Sequence, residues 1–135
     1  MNMHSDAAEN LLLGTAVQES GLRALAQIPT GPARGIYQME PATHDDIWQN
    51  YLQYRDDLSS RVGQFLGALP DRVEQLVTNL AYATAMCRIH YYRAPAALPV
   101  ADDVDGLARY WKQYYNTPQG HGTAIQFAEN YRANA

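Results

Sequence analysis

Ser5-Asp6-Ala7-Ala8-Glu9-Asn10-Leu11-Leu12-Leu13-Gly14-Thr15-Ala16-Val17-Gln18-Glu19-Ser20-Gly21 is the stretch that decides how the rest of the chain is read. Ser5 carries the side-chain acceptor of an N-cap, and Gly21 suits the left-handed residue that closes a helix. The spacing predicts one helix from Asp6 to Ser20. Projected at about 100° per residue, Ala8, Ala16 and Glu19 fall within about 40° of Leu12. Glu19 therefore continues the apolar stripe, whereas Glu9 and Gln18 lie elsewhere. It also sits in the last turn, where the helix dipole is negative and disfavours a carboxylate. Burial and dipole both push a carboxyl pKa upward. A carboxyl still protonated near neutral pH is what a glycosidase uses to protonate its leaving oxygen. The wheel alone also suits a glutamate that leans to solvent from a frayed helix end.

Beyond this helix, residues 27 to 41 carry Pro29, Gly31, Pro32, Gly35 and Pro41, a density that predicts an irregular or short β segment. Thr43-His44-Asp45-Asp46 has the spacing of a capping box, opening a helix through Trp48 and Leu52. A further helix is expected from about Asp57 to Leu69, stopped by Pro70. The longest is expected from Asp71 to about Arg93. Its inward stripe would be Val73, Leu76, Val77, Leu80, Thr84 and Cys87, and Pro95 and Pro99 would end it. Another helix, from about Val104 to Tyr115, carries Leu107, Tyr110 and Trp111. A loop over 116–122 leads to a last short helix capped by Thr123. The fold class is mostly α, one domain over residues 1–135, with the irregular or β segment between the first and second helices.

Composition agrees with a packed domain: 47% of the 135 residues are hydrophobic and 18% charged, which is ordinary for a globular chain and excludes general disorder. No apolar run has the length of a membrane span. The N-terminus lacks a basic n-region, and Leu11-Leu12-Leu13 is too short for a signal h-region, so synthesis in the cytoplasm without a signal peptide is expected. A single cysteine, Cys87, excludes an internal disulfide, and its apolar neighbours at helical spacing read it as a small buried hydrophobe. The histidines and cysteine show neither HxxxH nor CxxC spacing, so no metal and no cofactor are expected. The net charge of −4 argues against broad nucleic-acid binding, which needs a basic surface.

Glu19-Ser20-Gly21 followed by Gly31-Pro32-Ala33-Arg34-Gly35-Ile36-Tyr37-Gln38-Met39-Glu40-Pro41-Ala42-Thr43 resembles the signature of lytic transglycosylases and goose-type lysozymes, within the lysozyme-like superfamily. In that signature a Glu-Ser pair ends a helix. A Gly-x-x-Gly-hydrophobic-x-Gln-hydrophobic-x-Pro-x-Thr segment follows after a short gap. The resemblance implies a lysozyme-like domain that cuts the glycan strands of bacterial peptidoglycan, with Glu19 as catalytic acid/base. It implies that Ser20 orients the acid and contacts the sugar. Gln38 would line the cleft near the N-acetyl group, flanked by Tyr37 and Met39. Gly31 and Gly35 allow close backbone approach. For each of these positions a turn or core role is the other reading. The family's third element is a late tyrosine, usually within Ala-Tyr-Asn. Its match here is His90-Tyr91-Tyr92, which lacks both alanine and asparagine. Tyr91 lies about five turns after Val73 and so shares its side, as a cleft or a core residue, and Tyr92 is the alternate. The segments Tyr110-Trp111-Lys112, Tyr115-Asn116-Thr117 and Gly120-His121-Gly122-Thr123 are similar to small phage-encoded members. Aromatic rings there either stack on sugars or fill the core, and Trp111 reads as core.

Hydrolases of the usual kind need two carboxylates, whereas a lytic transglycosylase needs one, because the substrate's own 6-hydroxyl replaces water. Glu40, Asp45 and Asp46 are the candidates for a second acid, and the last two are already explained as first-turn helix residues. The reading leans to a transglycosylase over a goose-type hydrolase. A non-catalytic saccharide-binding or virion structural module is the alternative of a different class. A helical regulator of a protein partner has only acidic charge and tyrosine content behind it. Such an enzyme would reach periplasmic peptidoglycan through a holin-like lesion or as part of a virion. Its oligomeric state is not legible.

Overall fold

The computed structural model of the chain describes residues 3–22, 31–68 and 71–134. Its helices are α1 (Asp6–Ser20), α2 (Pro41–Asn50), α3 (Asp56–Gly63), α4 (Gln75–Thr78), α5 (Leu80–Tyr92), α6 (Val104–Trp111) and α7 (Ala124–Asn134). The fold is mostly α, and no strand forms among the described residues. Between α1 and α2 the segment is irregular, pinned by one isolated antiparallel bridge between Arg34 and Met39.

The caps of α1 are the expected ones. Ser5 Oγ accepts from the Ala8 amide, and Gly21 takes the left-handed conformation. Thr123 caps α7 reciprocally: its Oγ1 accepts from the Gln126 amide while its own N–H donates to Gln126 Oε1. The box expected at Thr43 does not form. α2 begins at Pro41, whose fixed φ suits the first helical position, so the residue read as a breaker opens the helix. That helix ends at Asn50, and Leu52 lies in the 3₁₀ turn Leu52–Tyr54. α3 is shorter than expected, stopping at Gly63, and Leu69 and Pro70 lie outside the described residues.

The expected long helix from Asp71 to Arg93 is broken. Asn79 adopts an extended backbone, φ −127° and ψ 94°, and its Oδ1 caps the Tyr82 amide at the start of α5. Its side-chain amide donates to the Phe65 carbonyl and to Gln75 Oε1. An asparagine with that many local partners competes with the helical ladder and wins. The break resets the phase, so Leu80 is 62% exposed rather than inward, while Cys87 is fully buried and free, as expected.

α5 divides the core. Ala83, Cys87 and Tyr91 join Leu11, Leu12, Ala16, Leu107, Trp111 and Phe127 from α1, α6 and α7. Tyr82, Met86 and Ile89 join Met39, Ile47, Leu52 and Val62 from the irregular segment, α2, the 3₁₀ turn and α3. Beyond Trp111 the chain continues as a wide π turn, Lys112–Asn116, a geometry that frees carbonyl groups and is common at functional sites.

Candidate active site

The last turn of α1, the 34–40 loop and the π turn enclose a cleft of about 380 Å³. Glu19, Gln38, Met39, Glu40, Thr43, His90 and residues 114–117 line it. Glu19 reaches it because α1 buries Ala8, Leu12 and Ala16 on one stripe and carries that stripe to the helix end. The carboxyl is partly buried, and the buried Trp111 donates its indole N–H to Glu19 Oε1 at 3.3 Å. Burial pushes the Glu19 pKa from its ordinary 4.5 up to about 7, against the Trp111 hydrogen bond, which favours the anion. The group is therefore a carboxylic acid over much of the range below neutrality.

The loop beside it is a tight reversal. Arg34 and Met39 exchange backbone hydrogen bonds at 2.9 and 3.1 Å, and the Gln38 amide donates to the Gly35 carbonyl. Gly35 has φ +77°, and a Cβ there would collide with the Leu76 carbonyl, so no other residue fits. Gln38 sits at φ 50° and its side-chain amide donates to the Gly35 carbonyl, which holds the loop's shape. Ser20 fastens the loop to α1: its Oγ lies 2.7 Å from the Ile36 carbonyl and 3.0 Å from that of Ala16.

The opposite wall comes from distant residues. Tyr115 donates its hydroxyl to the Tyr37 carbonyl at 2.6 Å, meets the His90 ring edge-on and stacks on Tyr91 with centroids 5.3 Å apart. His90 Nε2 lies 3.2 Å from the Tyr114 carbonyl, which makes Nε2 the protonated nitrogen. Its Nδ1 is buried without a partner among the described residues, and burial holds the ring's pKa below its ordinary 6.5. Lys112 closes the wall from behind, donating to Asn116 Oδ1 and to the carbonyls of Gly120 and Gly122. Thr117 has φ 76°, so a non-glycine residue with positive φ stands on each wall, Gln38 and Thr117. Backbone strain of this kind collects at functional sites.

The residues proposed from sequence separate into two groups. Glu19, Gln38 and Met39 line the cleft together, and Ser20 supports it from outside. Tyr37 contributes its carbonyl, but its ring is buried the other way, with its hydroxyl 3.1 Å from Thr84 Oγ1. Tyr91 is a core residue, 1% exposed, paired with Thr15 Oγ1 at 2.7 Å. Tyr92 is exposed beside Met3, Arg55 and Arg61, not in this cleft. Tyr114 and Tyr115 both line the cleft, and it is Tyr115 that bonds across to the 34–40 loop. Its sequence signal was the asparagine that follows it, which His90-Tyr91-Tyr92 lacks. Of the candidate second acids, only Glu40 lines the cleft. Asp46 is bound to Arg93 at 2.9 Å, and Asp45 to His44 at 3.0 Å. One group with metal-ligand chemistry, the exposed His4, Asp6 and Glu9, lies at the far end of α1 and takes no part in this site.

No family model, curated protein or solved structure matches the chain. No described helix is long and apolar enough to cross a membrane.

Proposed function

We propose that this chain is a lysozyme-like enzyme that cleaves the β-1,4 glycosidic bond between N-acetylmuramic acid and N-acetylglucosamine in peptidoglycan, with Glu19 as the proton donor. The observation that carries this reading is a carboxyl with its pKa near 7, held by a donor, at the floor of a polar cleft. Breaking a glycosidic bond needs a proton on the leaving oxygen as the bond lengthens, and a neutral carboxyl supplies it at physiological pH. Gln38 lines the same cleft, and its side-chain oxygen takes no part in the bond its amide donates to Gly35, so it suits the amide N–H of an N-acetyl group. With one tuned carboxyl, the lytic transglycosylase route is favoured: Glu19, a carboxylate once the leaving oxygen has taken its proton, accepts the proton of the substrate's 6-hydroxyl as that oxygen bonds C1 to close a 1,6-anhydro ring, and no water is activated.

Glu40 favours a second reading, a goose-type hydrolase, because it is the one further carboxylate in the lining. Mass spectrometry of muropeptides released from purified sacculi decides between them. Transglycosylation yields 1,6-anhydro-N-acetylmuramic ends, one water lighter than hydrolysis products, and Glu40→Gln keeps substantial turnover. Ordinary reducing ends, with activity lost in Glu40→Gln, establish the hydrolase. No glycan product from either enzyme form would overturn catalysis and leave a saccharide-binding or virion module. The glycan lies in the periplasm, reached through a holin-like lesion or within a virion.

A further inference from the structure

We infer that Trp111 is the positioning residue of the acid: its indole N–H occupies Glu19 Oε1 and leaves Oε2 as the oxygen that delivers the proton. This rests on Glu19 being the acid. An indole nitrogen only donates, so Oε1 accepts, and because the carbonyl oxygen of a protonated carboxyl is the better acceptor, this bond favours the O–H on Oε2. When that proton leaves, the same hydrogen bond stabilises the carboxylate left behind. Trp111 thus aims the acid and favours the state that follows proton transfer, without titrating itself.

The indole is held in place by residues outside the cleft. The Phe127 ring of α7 packs on it with centroids 5.3 Å apart. A Cβ on Gly122 would come within 2.6 Å of the indole Cη2, so the loop before α7 lies flat against the ring. Gly14 in α1 leaves the room that Phe127 occupies, because a Cβ there would strike its ring. The C-terminal helix, which places no residue in the cleft, therefore supports the acid through two packed rings. Ser20, the side chain to which the resemblance gives an orienting role, is engaged elsewhere, with the Ile36 carbonyl. Among the described residues, Trp111 alone donates to the Glu19 carboxyl.

The test replaces Trp111 by 3-benzothienylalanine, which keeps the ring outline and puts sulfur where the N–H was, alongside Trp111→Phe. Glu19 is followed directly by carbon-detected NMR titration and by its carboxyl C=O stretch, and turnover on sacculi is measured against pH. The expected result is a higher Glu19 pKa, a C=O stretch moved to higher frequency and an alkaline activity limb that moves up with the pKa. Turnover should fall roughly ten- to hundredfold, as for a lost hydrogen bond to a charged group. A residue that only packs would leave the Glu19 titration and the limb unmoved in the benzothienyl variant, and that result overturns the inference. If Trp111→Phe fails to fold, the isosteric variant still decides. Should the wild-type chain cut no glycan, the acid assignment fails, and the titration still reports separately on the Trp111–Glu19 bond.

Discussion

The two walls of the cleft are built by opposite means. One wall is the end of α1 at Glu19 with the 34–40 loop and the first turn of α2, near in sequence and shaped by local hydrogen bonds. The other joins His90 on α5 to the π turn after α6. Two long-range hydrogen bonds hold it, Tyr115 to Tyr37 and Tyr91 to Thr15, together with the shorter-range bonds of Lys112 to the 116–122 loop. The first wall carries the acid. The second supplies the strained Thr117 and the half-buried His90. Chemistry written in a local motif acquires a cleft only when a distant segment closes over it.

The largest effect should come from the residue on the first wall that does the chemistry. Glu19→Gln should lose roughly 10²- to 10⁴-fold in turnover on sacculi while keeping its circular dichroism, since an amide donates no acid proton. The same variant should be more stable at high pH. A carboxyl whose folded pKa is raised contributes stability that is fully present below 4.5 and lost as pH rises through about 7. Glutamine stays neutral throughout. The gain should reach the order of 3 kcal/mol above neutrality and vanish in acid, read by urea titration at two pH values. An equal gain at both would show that Glu19 is not held protonated.

Gly35→Ala breaks the first wall at its turn. The collision with the Leu76 carbonyl and the positive φ together should cost roughly 2–4 kcal/mol, with turnover falling as the loop shifts. Lys112→Met breaks the second wall at its back. It removes three hydrogen bonds while keeping the stem, and a loss of about 1–3 kcal/mol is expected. The comparison sharpens in the kinetics. The lysine variant should raise KM for sacculi more than it lowers kcat, because the acid and its loop stay in place. A matching fall in kcat would mean that the two walls act as one unit.

Tyr92→Ala should have the smallest effect. The ring is exposed, under Arg88 at 5.5 Å, and lines a different surface, so turnover should stay within about twofold and the thermal midpoint should barely move. A large loss would bring that surface into the substrate path.

Local rules account for what was legible. Caps, spacing and the Gly/Pro cluster located α1, the irregular segment and the start of α7, and the wheel placed Glu19 on the stripe that leads to the cleft. The motif resemblance groups Glu19, Gln38 and Met39, which line one cleft. Two misreadings have local causes: Pro41 opens a helix, and Asn79 breaks one, because its side chain found partners in Phe65 and Gln75 that no periodicity count includes. Tyr115 was passed over for Tyr91 because helical phase tells which side of a helix a ring leaves from, not what lies on that side.

By itself the sequence determined a mostly helical chain, the helix that carries Glu19 and the loop that must turn at Gly35. These depend on φ preferences, capping groups and apolar spacing, all of them properties of neighbours. Only the tertiary structure decided that Trp111 donates to Glu19, that Tyr115 and Thr117 face Gln38, and that Asp45 and Asp46 are taken by His44 and Arg93. Each of those pairings, apart from Asp45 with its neighbour, joins residues far apart in the chain. The Trp111–Glu19 pair exists because packing α1 and α6 in one core brings the end of one helix against the end of the other.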